Sequence, residues 1–350
     1  MKLMNRMSHL FYVIVLCSAV LFNSTVYAHS IPTAKDDPCP APNIRTYVRP
    51  NANDQPIKVT VGIRMIDLME INDIKQTLTG DFAVVLSWVD PRLSQLEGCE
   101  VSIDDIWSPG LVFLNSGRKF TSRPKIVDVG PGGQVTYLQR YSGTFATYHI
   151  LSDFPFDKQT FRISLLSFEW PEKDVQLVVD EKVTGQRKRL NISDWTIKGV
   201  EATIDRRYNP GSERFNSRYD FDISAERIKA YYLWKIILPL CLIVAMSWCV
   251  FWINPAQYGP QIGLSATSML TLIAFIFATT NMVLKLGYLT LLDRFIVGST
   301  ILVFLALVES LTTIYLVSQE KKEIAMRIDR VSRLLFPIAF GTISFMVFFF

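Results

Sequence analysis

Four long apolar runs dominate the second half of the chain. They cover residues 231–253, 260–284, 291–317 and 334–350, and each is close to the roughly 20 residues with which a helix crosses a bilayer. Basic connections between spans stay on the cytoplasmic side, and the connection before the last run carries Lys321, Lys322, Arg327, Arg330 and Arg333. Four spans then place the chain before residue 230 outside the membrane.

The first half shows a different pattern, in which apolar and polar residues alternate over short segments. Tyr219, Phe221 and Ile223 alternate with polar neighbours, which is the period of a half-buried strand. Asn209-Pro210-Gly211 just before them is typical of a hairpin tip. Tyr219, Phe221 and Ile223 belong to the segment 218–224, and comparable segments are 58–66, 81–89, 134–141, 160–168, 175–179 and 195–204.

This pattern, with almost no helical periodicity before residue 230, predicts two domains. Residues 29–229 should form an all-β extracellular sandwich of about eight to ten strands, and residues 230–350 a four-helix transmembrane bundle.

The first 28 residues have the features of a secretory signal peptide. Lys2 and Arg6 form a basic start, residues 10–22 an apolar core, and Val26-Tyr27-Ala28 a small-x-small cleavage site. The alternative is a further membrane span, for which the apolar core is short. Export to an oxidising compartment would allow a disulfide between Cys39 and Cys99, whereas Cys241 and Cys249 lie in an apolar run and are interpreted as packing residues.

The second apolar run is rich in hydroxyl groups and has no charge between Pro260 and Leu284. On a helix, one strip about 80° wide is polar at its start, apolar in its middle and amide-tipped at its end; it contains Gly263, Thr267, Leu270, Ala274, Phe277 and Asn281. Such a strip can line a narrow water path whose apolar part closes by dewetting. The alternative is a bundle helix whose hydroxyls bond to its own carbonyls. The run alone leaves both interpretations open.

Composition excludes several function classes. Hydrophobic residues make up 49% of the chain and the net charge is +4, without a basic face that would suit nucleic acid. Catalytic motifs and Cys-x-x-Cys are absent, and His149 is the only histidine after residue 29. We therefore expect no enzyme, metal or cofactor site, and interpret His149 as structural. Glu309 lies inside the third run and is either functional or a buried structural partner.

Motifs along almost the whole mature chain resemble the pentameric ligand-gated ion channel family. They are Trp88-Val89-Asp90-Pro91-Arg92-Leu93, Asp105-Ile106-Trp107-Ser108-Pro109, Asp153-Phe154-Pro155-Phe156-Asp157-Lys158-Gln159, and Arg227 followed by Tyr231-Tyr232 and Pro239. Thr147 and Phe161 stand where animal members have two cysteines, which points to the prokaryotic branch. A bacterial member of that branch also shares Tyr231-Tyr232-Leu233-Trp234, Met269-Leu270-Thr271 and Thr290-Leu291-Leu292-Asp293.

The resemblance implies a homopentamer in the bacterial inner membrane, with the first half periplasmic and monovalent ions passing along the second run. Leu270, Ala274 and Phe277 would be the hydrophobic gate, and Gly263 and Thr267 the narrow polar part. No acidic residue occurs between Gln257 and Gln261, where cation-selective members carry a glutamate ring. Pro260 and Gly263 resemble anion-selective members, but Gln261 stands where those carry an arginine. Selectivity for cations or anions therefore stays open, and the prokaryotic relatives favour cations.

Ligands of the family bind between subunits in an aromatic cage. The candidate cage residues are Phe168, Trp170, Tyr208 and Phe215, and Arg64 would face them from the neighbouring subunit. Aromatic faces attract ammonium groups and arginine pairs with carboxylates, which together suit a small amine or amino-acid-like ligand.

The resemblance also implies where ligand binding is coupled to the pore. Arg227 would be held by Asp157 and Asp73, beside the segment from Lys285 to Tyr288. Two alternatives stay open: a proton-gated channel of the same fold, and a membrane-tethered sensory or adhesion module without conduction.

Overall fold

The structure is a computed structural model that describes residues 39–50, 55–121, 125–254, 256–279 and 286–349. Residues Pro42–Phe350 form one compact unit, which is the subject of the following description. The proposed signal peptide lies outside the described residues.

Twelve strands occur in the described residues before Ala230. They are β1 (Ile57–Asn72), β2 (Thr77–Val89), β3 (Glu100–Ser102), β4 (Leu111–Phe113), β5 (Ser116–Thr121), β6 (Ile126–Gly130), β7 (Gln134–Ala146), β8 (Lys158–Ser167), β9 (Val175–Val179), β10 (Gly185–Gln186), β11 (Trp195–Asn209) and β12 (Arg214–Arg227). The expected number of strands was too low, because β3, β4 and β10 are too short to show an alternating pattern.

The strands form two sheets that pack face to face. The larger has the order β10-β1-β2-β7-β6-β3, with β5 pairing with β7 and β9 with β1, and the smaller has the order β11-β12-β8-β4. Phe82 of the larger sheet contacts Phe145 of the same sheet and Phe221 of the smaller one, with ring centroids 5.5 and 6.4 Å apart. The alternating apolar side chains of both sheets therefore fill one common core.

The tryptophan motifs have structural roles inside this sandwich. Trp88 and Trp107 are fully buried and meet edge to face at 6.1 Å. The Asp90 carboxylate accepts hydrogen bonds from the backbone and side chain of Arg92, whose guanidinium also donates to the Val48 carbonyl at 2.9 Å. The Asp-Pro-Arg sequence thus fixes the turn that follows β2.

In the described residues after Arg227, four helices follow: α1 (Ala230–Trp252), α2 (Tyr258–Thr279), α3 (Leu291–Ser318) and α4 (Lys322–Phe349). All four are long and apolar enough to cross a membrane. The widened turn Leu233–Ile237 in α1 precedes Pro239, which lacks the N–H group and would clash with the preceding turn of a regular helix. A capping box formed by Thr290 and Asp293 begins α3.

The fold class predicted from the sequence, a β-sandwich followed by a four-helix bundle, is confirmed. One detail was wrong, because Lys322–Arg333 belongs to α4 and not to the connection before it. Ala325, Asp329 and Ser332 are buried at helical spacing in that segment. An amphipathic helix can therefore continue past the apolar run into the polar region.

Candidate functional site

The β11–β12 hairpin presents a pair of exposed aromatic rings. Tyr208 and Phe215 are cross-strand partners whose ring centroids lie 5.3 Å apart. Each is nearly half exposed, at 49% and 47%. The Arg206 guanidinium lies 5.1 Å from the centre of the Phe215 ring. The pair offers ring faces to solvent, where a cation can approach them.

The segment after β8 is tied to the base of this hairpin. The Asn216 amide donates to the carbonyls of Ser167 at 2.7 Å and Trp170 at 2.9 Å, and the Glu172 amide donates to the Phe215 carbonyl at 2.8 Å. Phe168 lies in this segment and is 55% exposed. These hydrogen bonds fix the segment that carries Phe168 against the first residues of β12.

Trp170 and Arg64 are placed differently from these three aromatic residues. The Trp170 indole N–H donates to the Ser108 carbonyl at 3.2 Å, and its ring packs against Trp107 at 5.7 Å. Arg64 lies on β1 of the other sheet, is exposed, and donates to the Lys182 carbonyl at 3.1 Å. Within one chain, Arg64 is thus presented by a separate surface.

A buried ion cluster occupies the end of the sandwich next to the helices. Nε of Arg227 donates to Oδ1 of Asp157 at 2.7 Å and its NH2 group to Oδ2 at 3.1 Å, while NH1 lies 2.8 Å from Oδ2 of Asp73. The guanidinium also lies over the rings of Trp195 and Phe154, at 4.1 and 4.8 Å. All three predicted members, Arg227, Asp157 and Asp73, are brought together.

Burial and hydrogen bonding act in opposite directions on these charges. Burial alone would raise the pKa of Asp73, but the hydrogen bonds from His149 and Arg227 outweigh it and lower that pKa below its usual value. Burial alone would lower the pKa of Arg227, but the bonds to Asp157 and Asp73 outweigh it and raise that pKa. The cluster therefore keeps Asp73 and Arg227 ionised.

The cluster is connected directly to the transmembrane helices. The backbone amides of Leu291 and Leu292, at the start of α3, donate to the carbonyls of Ser152 and Phe154 at 2.9 and 3.2 Å. The Phe154 ring packs edge to face against Tyr232 of α1 at 4.8 Å. The Asp153–Gln159 loop thus touches two helices.

Tyr288 makes a further connection, because its hydroxyl accepts a hydrogen bond from the Leu151 amide at 3.1 Å. Lys285, the other residue predicted for this segment, lies outside the described residues.

The two faces of α2 have different environments. Five members of the predicted strip are exposed in the single chain, namely Gly263, Thr267, Leu270, Ala274 and Phe277; the sixth, Asn281, lies outside the described residues. The opposite face is buried and includes Gln261, Ser265, Ser268, Leu272 and Thr279. Ser268 and Thr279 donate to backbone carbonyls of α2 itself, and Ser265 donates to Ser310 of α3 at 3.0 Å.

Several remaining candidates can be placed. Glu309 lies close to Asp329 of α4, and neither of its buried carboxyl oxygens has a hydrogen-bond partner in the described residues. Cys39 and Cys99 are both disulfide-bonded, and Cys241 and Cys249 are free thiols; the pairing of Cys39 with Cys99 stays a prediction. Among the described residues, no group of three or more His, Cys, Asp and Glu side chains could hold a metal ion.

His149, which we interpret as structural from the sequence, lies at the ion cluster, a position that the sequence pattern did not predict. Its imidazole is buried and lies 3.1 Å from the Asp73 carboxylate, inside the ion cluster. A signal was present, because the only histidine after residue 29 stands just before the Phe-Pro-Phe-Asp motif. Its contact with Asp73 depends on the distant β1–β2 turn, which local patterns do not reveal.

Comparison with known protein families gives two matches. The neurotransmitter-gated ion-channel ligand binding domain matches residues 43–227, and the neurotransmitter-gated ion-channel transmembrane region matches residues 236–323. The two matches cover the strands and most of the helices described above.

Individual relatives come from bacteria and from animals. The proton-gated ion channel of Gloeobacter violaceus is 28% identical over 83% of this chain and 82% of its own length. The gamma-aminobutyric acid receptor subunit rho-1 of Mus musculus is 25% identical over 80% of this chain and 61% of its own length. The gamma-aminobutyric acid receptor subunit rho-2 of Bos taurus is 26% identical over 79% of this chain and 62% of its own length. The chain thus spans about three fifths of each of the two animal subunits.

Proposed function

Because this chain belongs to the family of neurotransmitter-gated ion channels, we propose that five copies of it surround a pore that a small ligand opens. The chain is a multi-pass membrane protein with an extracellular N-terminal domain, and the family forms pentameric ligand-gated channels. The homopentamer, the ligand, the permeant ions and the residue roles below are parts of the proposal.

The exposed strip of α2 is the observation that carries the proposal. Leu270 and Phe277 are 68% and 74% exposed in the single chain, although α2 buries its other face against the bundle. Helices of five copies arranged around an axis would turn this strip towards the centre. Leu270, Ala274 and Phe277 then form an apolar gate that closes by dewetting, and Gly263 and Thr267 form the narrow polar part. Asn281 belongs to the same proposed wall.

The proposed ligand site lies between two copies. One copy contributes Phe168, Tyr208 and Phe215, with Trp170 behind them, and the next contributes Arg64 from its larger sheet. Ring faces bind an ammonium group at roughly 0.5–2 kcal/mol each, and the arginine fork binds a carboxylate. The exposure of Arg64 and of the hairpin rings supports a small amine or amino-acid-like ligand.

The proposed coupling path runs through the ion cluster of Asp73, Asp157 and Arg227, and through the Tyr288 segment with Lys285. The hydrogen bonds from α3 to the carbonyls of Ser152 and Phe154 support it, because a shift of these residues must move the start of α3. The protein can bind the ligand more tightly with the cluster in one arrangement than in another. Ligand binding then shifts the equilibrium towards that arrangement.

The test compares two cysteine variants on neighbouring positions of α2. In a background with Cys241→Ser and Cys249→Ser, Thr267→Cys places a thiol on the exposed strip and Ser268→Cys places one on the buried face. Oocytes expressing each variant are stimulated with γ-aminobutyrate, glycine, propylamine and steps of acidic pH. A charged, water-soluble thiol reagent should change the current of Thr267→Cys and leave that of Ser268→Cys unchanged.

Labelling of the same variants in membranes with a water-soluble maleimide provides a readout that requires no stimulus. Equal labelling of both positions contradicts the proposed pore wall. Labelling of Thr267→Cys without a current under any stimulus favours the tethered sensory module, and currents that respond to acid alone favour proton gating.

A further inference from the structure

His149 occupies a fully enclosed position within the coupling cluster. Its side chain is 1% exposed, with Nδ1 at 3.1 Å from Oδ1 of Asp73 and Nε2 at 2.7 Å from Oγ1 of Thr147. The Phe161 ring packs against the imidazole at 4.9 Å. Both ring nitrogens therefore have a polar partner, and the rest of the ring has an apolar wall.

These partners can accommodate two protonation states. An ionised carboxylate only accepts hydrogen bonds, so Nδ1 carries a proton and donates to Asp73. In the neutral ring, Nε2 accepts from the Thr147 hydroxyl. A second proton on Nε2 requires only that this hydroxyl turns and accepts instead, because a hydroxyl can do either. The site can thus gain a proton without rearrangement of the backbone.

The charges around His149 are unbalanced while its ring is neutral. Asp73 and Asp157 contribute two negative charges to the cluster and Arg227 one positive charge. With His149 neutral the cluster has an excess negative charge, which is costly in a buried environment. Among the described residues, the phenol of Tyr232 from α1 contacts Arg227, the exposed carboxyl of Asp194 lies near Tyr232, and the phenol of Tyr288 binds the Leu151 amide. Protonated phenols add no charge.

Histidine is the side chain whose ordinary titration falls between about pH 5 and 8, and the chain has only three, His9, His29 and His149. We propose that His149 is a proton-binding site that sets how strongly the junction transmits ligand binding to the helices. Protonation gives Asp73 a cationic partner on each oxygen and holds the observed arrangement of the cluster. Deprotonation loosens it, so that pH changes the balance between the arrangements.

Proton binding is tested first, without any ligand. The purified full-length protein is labelled with ¹⁵N-histidine, placed in lipid nanodiscs and followed by magnetic resonance from pH 5 to 8. One titrating imidazole signal should disappear in His149→Gln, which keeps a donor and an acceptor but cannot be protonated. Asp73→Asn should move that signal's titration to lower pH. A His149 signal that does not respond to pH, or is unaffected by Asp73→Asn, overturns the proposal.

The effect on gating rests on the proposed channel function and is measured separately. The half-maximal concentration of γ-aminobutyrate, or of the propylamine probe, is compared at about pH 5.5 and 8. It should change by about fivefold or more in the wild type and stay constant in His149→Gln. Glu70→Gln, which removes an exposed carboxyl from β1 three residues before Asp73, should behave like the wild type.

The two experiments fail in distinguishable ways. A titrating His149 in a protein that never conducts refutes the channel function and leaves the proton site intact. Equal pH dependence in the wild type and in His149→Gln refutes the regulatory role, even where the ligand-gated current is present.

Discussion

At the scale of single residues, the coupling cluster depends on the shape of one arginine. Its planar guanidinium donates two bonds to Asp157 and a third to Asp73, while its faces lie against Trp195 and Phe154. Lysine would keep the charge but has neither the fork nor the flat face. Arg227 therefore contributes geometry as well as charge.

Arg227→Lys should separate these two contributions. We expect assembly close to normal, because the buried carboxylates keep a cationic partner, and at least an approximately tenfold loss of maximal current per surface protein, because one ammonium cannot hold both carboxylates in place. Complete removal, as in Arg227→Ala, would cost about 3–5 kcal/mol of folding free energy and obscure the result. The measurement combines surface biotinylation with current recording.

Arg162→Lys is the matched control for that variant. Arg162 also makes a two-bond contact, with Asp222, but on an exposed surface. Its replacement should change neither assembly nor current. Equal losses in the two lysine variants would show that Arg227 has no special role in coupling.

Asp73 gives a prediction on pH and stability. Because its pKa is lowered in the folded protein, its ionised form stabilises the fold at pH above about 3.9, the ordinary value of an aspartate, and this contribution disappears as the pH falls through the lowered value. Asp73→Asn should reduce the free energy of unfolding by about 1–3 kcal/mol at neutral pH, and the difference should shrink in acid.

Thermal unfolding of the detergent-solubilised protein between neutral and acidic pH measures this difference. Asp104→Asn, at an exposed pair with Lys125, should have little effect at any pH. A constant difference for Asp73→Asn across the whole range would contradict an electrostatic origin.

At the scale of secondary-structure elements, predictability followed length and periodicity. The segments 58–66 and 134–141 were recognised because alternation along β1 and β7 is long enough to show, and β9 was predicted with its bounds unchanged. β3 and β4 are held by pairing with β6 and β8, which is tertiary information. The start of α4 was missed because hydropathy marks the membrane-embedded part of a helix and not the helix itself.

The contact between α3 and α4 contains a polar pair that can be tested. Asp329 is 2% exposed and Glu309 lies close to it from α3, but neither Glu309 oxygen nor Oδ1 of Asp329 has a hydrogen-bond partner among the described residues. Glu309→Leu removes a buried carboxyl without hydrogen bonds, which should leave the fold unchanged or stabilise it by about 1–3 kcal/mol. The assembled channel should therefore dissociate at the same or a higher temperature.

Glu309→Gln is the companion variant, because its amide can donate to Asp329 in the same geometry. It should retain the dissociation temperature of the wild type in size-exclusion chromatography after heating. Loss of assembly in both variants would show that position 309 requires a carboxyl group for another reason.

At the scale of the whole molecule, the proposed assembly divides the candidate sites between copies of the chain. The exposed rings of Tyr208 and Phe215 lie on the smaller sheet and Arg64 on the larger one. The exposed strip of α2 has no partner within its own chain among the described residues. The sequence predicts the ligand-site residues by resemblance to the family and the strip of α2 by helical spacing. Which surfaces of two copies face each other depends on the assembly, which no local sequence pattern encodes.

Ion selectivity is the property that the five-fold repetition of the proposed homopentamer affects most. Residues 256–279 contain no charged side chain. The proposed pore therefore lacks a ring of charged side chains at its inner end, and such rings are one means by which channels select ions. Gln257 is exposed just before α2, whereas Gln261, one turn later, is fully buried and its amide lies 3.5 Å from the Thr313 hydroxyl. In the proposed pentamer, a single substitution at either position is repeated five times.

Gln257→Glu should therefore create a ring of carboxylates at the pore mouth. With a tenfold gradient of sodium chloride, we expect the reversal potential to move towards the sodium equilibrium potential relative to the wild type. Gln261→Glu should instead lower the amount of assembled protein, because it buries a carboxylate against α3 without a cation. A shift of the reversal potential by Gln261→Glu and not by Gln257→Glu would mean that α2 is rotated in the assembly, with its presently buried face turned towards the pore.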